Sequence, residues 1–237
     1  MVWYDRGAGS QVFATCGGER QAFLWDAGSG RVVRRFHGHH LKVNAVAFNE
    51  DASVLASGSD DRTVRLWDCR SSSRHPVQVL EDAQDSVSSI DIRGACIGVG
   101  ALDGRVRRYD VRRGGVVVDG QGGAAVTCVR LGLDEQCYLV STADSTVRLR
   151  DGPGDATLNT FTGHCHRASR TECAFLDNEA FVVSGSEDGC ALVWDVVSAG
   201  VVLRLSGHAG PVTSVACHPS GTGVLTASTD GTVRVWR

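Results

Sequence analysis

The sequence predicts an all-β protein made of repeated four-stranded units. Residues 53–68 form two short apolar runs joined by small and acidic residues, a pattern typical of a β-hairpin. The same frame returns at residues 184–195 and 226–236, and weaker copies end at residues 26, 110 and 151. Twenty-nine glycines against four prolines also suit many short strands with tight turns. Repetition of one hairpin frame therefore predicts an all-β repeat fold.

The spacing of the copies identifies the repeating unit. Successive copies end 41 to 44 residues apart, and Gly-His pairs at His39, His164 and His208 precede three of them. A repeat of roughly 40–45 residues with Gly-His early and Trp-Asp late is typical of one propeller blade. In these motifs the chain resembles the WD40 family over nearly its whole length. The resemblance implies a single β-propeller domain over residues 1–237, with blades at about residues 1–37, 38–81, 82–120, 121–162, 163–206 and 207–237.

Blades one and two contain the expected strands in order. In blade one the sequence predicts strands at residues 2–4, 11–16, 22–25 and 31–36. Blade one lacks the Gly-His pair, and Glu19 stands where the turn aspartate is expected. Blade two is the most regular copy, with predicted strands from Val43 through Trp67 and an outer strand near residues 77–80.

The later blades depart from the repeat in specific ways. Blade three lacks the histidine and has Tyr109 where tryptophan is usual. Blade four has Arg150 at that position, so we expect no complete network there, and Asp144 is left to pair elsewhere or with solvent. Blade five has two additional residues between His164 and Phe175, which predict a longer loop. Blade six ends on its third strand, without an outer strand.

The WD40 resemblance implies a chained hydrogen-bond network that joins the Gly-His histidine, a strand hydroxyl, the turn aspartate and the tryptophan. A buried carboxylate needs such partners. Because the Ser-His-Asp composition recurs once per blade, we interpret these residues as structural rather than as a hydrolytic triad. The implied sets are His39, Ser57, Asp61 and Trp67; His164, Ser184, Asp188 and Trp194; and His208, Thr226, Asp230 and Trp236.

The same resemblance puts partner binding on the narrow face, where the loops leading into the inner strands meet the turns before the network aspartates. This mixed polar rim with one apolar residue suits a peptide or protein segment better than a metabolite. The implied partner-binding residues are Lys42, Asn44, Asp60, Ser86, Ser88, Leu102, Ser169, Thr171, Glu187, Thr213 and Thr229.

Composition argues against several other classes of protein. The formal net charge of −3 gives no general electrostatic reason to bind nucleic acid or an anionic membrane. No apolar run approaches the length of a membrane span, and the N-terminus lacks the apolar core of a signal peptide. Nine cysteines without a Cys-x-x-Cys pair fit a reducing compartment. We therefore expect a cytoplasmic or nuclear protein, or one found in both.

The sequence contains no motif that matches a known catalytic or metal-binding site. The strongest metal candidate is His164-Cys165-His166 with Cys173, but its spacing matches no known zinc site. Phosphate loops, metalloprotease helices and nucleophile elbows do not occur in the sequence. The basic segment 105–113 is interpreted as solvated strand edges in preference to a small phosphate or acidic-peptide patch. We expect no enzyme activity, cofactor, metal or small-molecule substrate.

Several strings resemble one WD40 subfamily, the mitogen-activated protein kinase organizer scaffolds. They include Lys42-Val-Asn44, Trp67-Asp-Cys-Arg-Ser71 and the shared irregularity Tyr109-Asp110. That subfamily has seven blades, so the resemblance implies that the chain lacks the first one. A six-bladed ring with an open seam is the alternative.

The resemblance implies a scaffold that organises a multiprotein complex of kinase-cascade or spliceosomal components, in the cytoplasm or nucleus. The alternative is a peptide-binding substrate receptor or chromatin adaptor. Capture of several unrelated proteins would favour the scaffold, and competition by one short peptide would favour the receptor.

Overall fold

The structure is a computed structural model that describes residues 2–5, 11–120, 123–152, 156–218, 221 and 223–237. The described residues form 23 β-strands. Five sheets have four strands each and the sixth has three, and consecutive strands of each sheet pair in antiparallel fashion. The predicted fold class is confirmed: the described residues are all-β and form six sheets in chain order, one for each predicted propeller blade.

The chain divides into two compact units, residues 1–121 and 122–237. Each unit contains three blades. The interpretation of residues 1–237 as one domain stays a prediction.

The first unit contains blades one to three, and its sheets begin and end close to the predicted limits. Blade one comprises β1 (Val2–Asp5), β2 (Gln11–Cys16), β3 (Gln21–Asp26) and β4 (Arg31–His37). Blade two comprises β5 (Val43–Phe48), β6 (Val54–Ser59), β7 (Val64–Asp68) and β8 (Gln78–Leu80). Blade three comprises β9 (Val87–Arg93), β10 (Cys96–Ala101), β11 (Val106–Asp110) and β12 (Gly115–Asp119).

The second unit contains blades four to six. Blade four comprises β13 (Val126–Leu131), β14 (Cys137–Thr142), β15 (Thr146–Asp151) and β16 (Thr157–Phe161). Blade five comprises β17 (Cys173–Leu176), β18 (Phe181–Gly185), β19 (Cys190–Asp195) and β20 (Val201–Ser206). Blade six comprises β21 (Val212–Cys217), β22 (Val224–Ser228) and β23 (Val233–Trp236).

The core of each unit lies between neighbouring sheets. Strand β2 shows how the sequence produces it, because Val12 and Ala14 are buried while the residues between them are only half-buried. These side chains pack with Phe36, Leu55 and Trp67, so blades one and two share one apolar cluster. Burial of each Val, Leu or Phe side chain contributes about 1.5–3 kcal/mol. On β2 the alternating pattern therefore fixes which face meets the next blade.

Bulges on the inner strands position part of the candidate site. The pairing register shifts between Val43 and Ala45 in blade two, and one residue, Asn44, is skipped in the ladder. The strand pairing leaves out Thr127 in blade four and Thr213 in blade six in the same way. A β-bulge turns the extra residue away from the regular alternation of the strand. Asn44 is therefore held at the end of its blade by backbone geometry.

Candidate functional site

Blade two assembles a chained network from the loop before β5, strand β6, the β6–β7 turn and strand β7. His39 Nδ1 lies 2.9 Å from Asp61 Oδ2, and His39 Nε2 lies 2.8 Å from Ser57 Oγ. The Trp67 indole N–H donates to the same serine oxygen at 2.8 Å. Because Asp61 is in the β6–β7 turn and Trp67 is on β7, the histidine joins the turn to the sheet. The sequence set for this blade is brought together.

Thr63 is a fifth member that the sequence set lacks. Its hydroxyl donates to Asp61 Oδ1 at 2.7 Å, and its oxygen lies 3.3 Å from His39 Nδ1. Burial acts to raise the pKa of Asp61, but hydrogen bonds from Thr63, the His40 backbone N–H and His39 outweigh it and lower that pKa to about 2. Asp61 is therefore ionised at neutral pH and accepts hydrogen bonds from all sides.

Blade six repeats the arrangement. His208 Nε2 lies 2.8 Å from Thr226 Oγ1, and its Nδ1 lies 3.1 Å from Asp230 Oδ2. The Trp236 indole donates to Thr226 at 2.9 Å, and Thr232 occupies the position of Thr63. The hydrogen bonds hold the pKa of Asp230 below its usual range, chiefly the one from Thr232.

Blade five does not form the network, which corrects the set His164, Ser184, Asp188 and Trp194. Both nitrogens of His164 are buried and lack a hydrogen-bond partner among the described residues. The Trp194 indole donates to the Thr162 carbonyl at 2.9 Å instead of to a hydroxyl. Ser184 donates to the Gly185 carbonyl at 3.1 Å. The four residue types are present, but three of them bond elsewhere and the histidine bonds to none.

The reason lies in the residues around the set. Asp188 pairs with Arg204 on the outer strand β20, and the position two residues after it is Cys190 rather than threonine. The strand pairing is unchanged, since Val182 opposes Trp194 as Leu55 opposes Trp67. A shifted register is therefore excluded as the cause. The aspartate faces the outer strand, and no threonine hydroxyl holds the histidine against it.

In blades three and four an arginine pairs with the turn aspartate, which in blade two bonds to a histidine instead. Arg107 is 1% exposed and pairs with Asp103 at 2.7 Å and 3.3 Å. Arg148 pairs with Asp144 at 2.8 Å. Burial would raise the pKa of Asp103, but the Arg107 guanidinium and two backbone N–H groups lower it. The interpretation of residues 105–113 as solvated is wrong at Arg107, because its carboxylate partner allows the guanidinium to be buried.

The structure adds one hydroxyl in blade one. The Trp25 indole N–H donates to Thr15 Oγ1 at 2.8 Å, although the blade has no Gly-His histidine. The spacing alone could have found it, because Ser57 and Thr226 also stand ten residues before their tryptophans. The tryptophan–hydroxyl bond is therefore independent of the histidine.

The rim residues of the first unit form one connected group. The Asn44 amide donates to Asp60 Oδ1 at 2.6 Å and to Ser86 Oγ at 3.1 Å, and Ser86 Oγ donates to Asp60 Oδ1 at 2.5 Å. The Asp60 N–H donates to the Lys42 carbonyl, and the Leu102 N–H donates to the Ser86 carbonyl, both at 2.9 Å. We call these five residues the rim cluster. It joins the ends of blades two and three.

The hydrogen bonds divide the rim cluster into supporting and accessible groups. The bonds from Ser86 and Asn44 hold the pKa of Asp60 below its usual value, so this carboxylate stays charged beside Lys42. The Lys42 side chain and the Leu102 side chain are exposed. A cation and an apolar side chain on a rigid polar base suit a protein segment that carries both an acidic and an apolar residue.

Two predicted partner-binding residues outside the rim cluster are buried, as Ser86 is within it. Ser88 is buried and donates to the Gly100 carbonyl at 3.1 Å. Thr171 is fully buried, and its hydroxyl has no partner among the described residues. Ser88 lies on the inner strand β9, and Thr171 lies in the loop that leads into β17.

The predicted rim residues of the second unit do not form an equivalent group. Glu187 accepts hydrogen bonds from the backbone N–H groups of Arg167, Ala168 and Ser169, at 2.9, 2.7 and 2.6 Å. Burial would raise the pKa of Glu187, but these three bonds lower it. This carboxylate therefore holds the long loop of blade five in place.

Blade six contributes the last two predicted rim residues. Thr213 is half-buried, and its carbonyl accepts from the Glu172 N–H at 3.1 Å. Thr229 is exposed, and its N–H donates to the Pro211 carbonyl at 3.0 Å. Each residue is held by a backbone hydrogen bond. Among the described residues, neither side chain takes part in a hydrogen-bonded group at the rim.

The described residues include one cluster of potential metal ligands and nine thiols. Asp134, Cys137 and Glu179 are the one group there whose ligand atoms lie within 4.8 Å of one another. The Glu179 carboxylate already accepts the Leu133 N–H, and Asp134 is exposed, so we assign no metal to this group. All nine cysteines are free thiols. Within the described part of the chain, no helix has the length and apolar character needed to cross a membrane.

The family described as WD domain, G-beta repeat, matches residues 30–68, 156–195 and 200–237. Those ranges contain the three inner strands of blades two, five and six, each with the Gly-His pair that precedes them.

The chain is also similar to curated proteins. It is 44% identical over 265 residues to the human WD repeat domain-containing protein 83, an alignment that covers 94% of this chain and 84% of the relative. A Dictyostelium discoideum homolog of that protein is 33% identical over 247 residues, covering 92% of this chain and 76% of the relative. The rat protein is 43% identical over 169 residues, covering 71% of this chain and 53% of the relative. In that comparison the alignment spans about half the length of the relative.

Proposed function

Since the chain belongs to the WD40-repeat family, we propose that it is a non-catalytic scaffold that gathers other proteins on the rim cluster. The observation that carries the proposal is the connected group of Lys42, Asn44, Asp60, Ser86 and Leu102. Its hydrogen bonds hold the backbone in place, while the Lys42 and Leu102 side chains remain exposed. A preorganised surface of this kind loses little conformational entropy when a partner binds.

The histidines support a non-catalytic role. His39 and His208 are buried, and each is engaged through both ring nitrogens with side chains of its own blade. A general base must reach the proton that it removes from a substrate. Neither imidazole is accessible to a substrate, so we propose that both serve the sheet alone.

The partner class follows from the resemblance of the sequence to the kinase-organizer scaffolds. We propose that the captured proteins are components of a kinase cascade or of the spliceosome, in the cytoplasm or the nucleus. The names of the relatives state a WD repeat domain and no partner, so the partner class rests on the sequence strings alone.

The test changes the two accessible residues of the rim cluster. The double variant Lys42→Glu with Leu102→Glu should lose capture of its partners from a cell lysate, identified by mass spectrometry. Because both side chains are exposed, the melting temperature should stay that of the parent protein. Asp60 is left unchanged, since its carboxylate holds Asn44 and Ser86.

The matched control is Arg74→Glu with Val77→Glu, which changes the charge equally at two exposed positions of blade two. This control should capture the same proteins as the parent. Equal capture by both double variants would exclude the rim cluster as the docking surface. Competition of all captured proteins by one short peptide would instead support the peptide-receptor alternative.

A further inference from the structure

A cleft of about 330 Å³ opens on the outer side of the first unit, between blades two and three. Its floor is apolar and consists of Leu66, Leu80, Ile97 and Tyr109, each less than 10% exposed. Its walls are the outer strand β8, the segment that follows it, and the β11–β12 turn. All of these residues belong to one compact unit, and none belongs to the rim cluster.

Two side chains are smaller here than at the junction of blades one and two and at the junction of blades four and five, which leaves room for the cleft. Phe36 on β4 packs on Trp67 of the next blade, with ring centroids 5.4 Å apart. Phe161 on β16 packs on Trp194 in the same way, at 6.0 Å. Leucine and tyrosine occupy the two positions between blades two and three. A leucine and a tyrosine fill less volume than a phenylalanine and a tryptophan, so space remains above them.

The mouth of the cleft is acidic. Glu81 and Asp82 are exposed at its edge, and the Tyr109 hydroxyl donates to Asp82 Oδ2 at 2.9 Å. Asp110 also lines the cleft, but it accepts backbone N–H groups of the following turn, and Arg113 lies 3.7 Å from its Oδ2. Glu81 and Asp82 therefore carry the negative charge that faces a ligand.

We propose that this cleft binds the side chain of a lysine or arginine from an extended basic segment of a partner protein. The aliphatic part of such a side chain matches the apolar floor, and its cationic head reaches the carboxylates of Glu81 and Asp82. The aromatic face of Tyr109 adds attraction for a cation. The acidic mouth repels phosphate, which argues against a nucleic-acid ligand. The cleft gives the molecule a second docking surface that is independent of the rim cluster.

The test uses a fluorescein-labelled peptide, Gly-Val-Arg-Val-Lys-Val-Gly, and a matched peptide with glutamine at both basic positions. The basic peptide should bind in fluorescence anisotropy and the glutamine peptide should not. The double variant Glu81→Gln with Asp82→Asn keeps the acceptor for Tyr109 and removes both charges. It should weaken binding about fivefold or more, because charge-assisted contacts are lost. Added salt should weaken binding by the parent protein in the same direction.

Two further variants keep the proposal falsifiable. Leu80→Phe should fill the cleft as Phe36 does at the preceding junction, and should abolish binding without lowering the melting temperature. Glu19→Gln removes an exposed carboxylate elsewhere in the first unit and should leave binding unchanged. The rim variant Lys42→Glu with Leu102→Glu should also bind the peptide normally. Equal affinity for the two peptides, no binding of either, or full binding by the Leu80→Phe variant would each overturn the proposal.

Discussion

Blades two and five carry the same four residue types at nearly the same spacing, yet only blade two connects them. In blade two His39 bridges Ser57 and Asp61. In blade five His164 is just as buried and has no hydrogen-bond partner among the described residues. The difference teaches that the residue set is not sufficient. The neighbours of the aspartate decide whether the histidine is held.

The two blades therefore place a buried imidazole in two electrostatic situations. Burial lowers the pKa of His39, but Asp61 opposes the shift through a hydrogen bond and its charge. For His164, burial and the nearby His166 both act in the same direction, and its pKa falls to about 4. Nothing comparable to the Asp61 bond compensates the protonated form of His164.

The largest expected effect is a loss of stability in acid that comes from His164. Its pKa is about 4 in the folded chain against an ordinary value of 6.5, so the unfolded chain binds the proton first. The stabilisation is complete above pH 6.5 and is lost as the pH falls from 6.5 towards 4. The free energy of unfolding should fall by on the order of 3 kcal/mol over this window from His164 alone. Urea unfolding at pH 7 and pH 4.5 measures the loss.

The comparison for this prediction is His164→Leu. This variant removes two unpaired polar atoms, so it should be as stable as the parent or more stable at pH 7. It should also lose less stability than the parent at pH 4.5. The matched control His75→Leu changes an exposed histidine and should keep the acid loss of the parent. An unchanged acid loss in His164→Leu would contradict the prediction.

The second prediction compares the two aspartates directly. Asp61→Ala removes the acceptor of His39, Thr63 and the His40 backbone, and should cost about 1–3 kcal/mol. Asp188→Ala removes an exposed carboxylate whose ion pair is on the surface, and should cost about 0.5 kcal/mol or less. Thermal unfolding of both variants measures the difference. Equal losses of stability in the two variants would show that the network of blade two stabilises the fold no more than the surface ion pair of Asp188 does.

Much of the fold could be predicted because one pattern recurs. Six hairpin frames at regular spacing predicted six sheets, and their limits needed only the alternation of apolar residues. The long loop of blade five was visible as two additional residues, and the structure begins β17 only at Cys173, nine residues after His164. Local pattern and chain length are enough for features of this kind.

The candidate site was less predictable, because it depends on side chains that come from different segments. The structure brings the predicted set of blade two together. In blade five, the motif did not predict that Arg204 on β20 would form an ion pair with Asp188. Ser88 was expected on the rim, and the strand instead buries it. The role of Thr63 could have been predicted from the sequence, because a threonine stands two residues after the aspartate in blades two, four and six. Cys190 breaks that rule in blade five.

The prediction with the smallest expected effect restores a threonine two residues after the aspartate of blade five. Cys190→Thr puts a hydroxyl two residues after Asp188, at the position that Thr63 has relative to Asp61. This hydroxyl should hydrogen-bond to Asp188 and favour its rotation from Arg204 towards His164. One net hydrogen bond to a buried group should raise the free energy of unfolding by about 0.5–1 kcal/mol. A protected imidazole N–H proton should then appear in the NMR spectrum, since His164 would gain an acceptor. The reverse variant Thr63→Cys should lose a similar amount of stability. A neutral result in both variants would show that the hydroxyl does not decide between the blades, and would leave Leu192, which replaces Arg65 at the facing position, as the difference to change next.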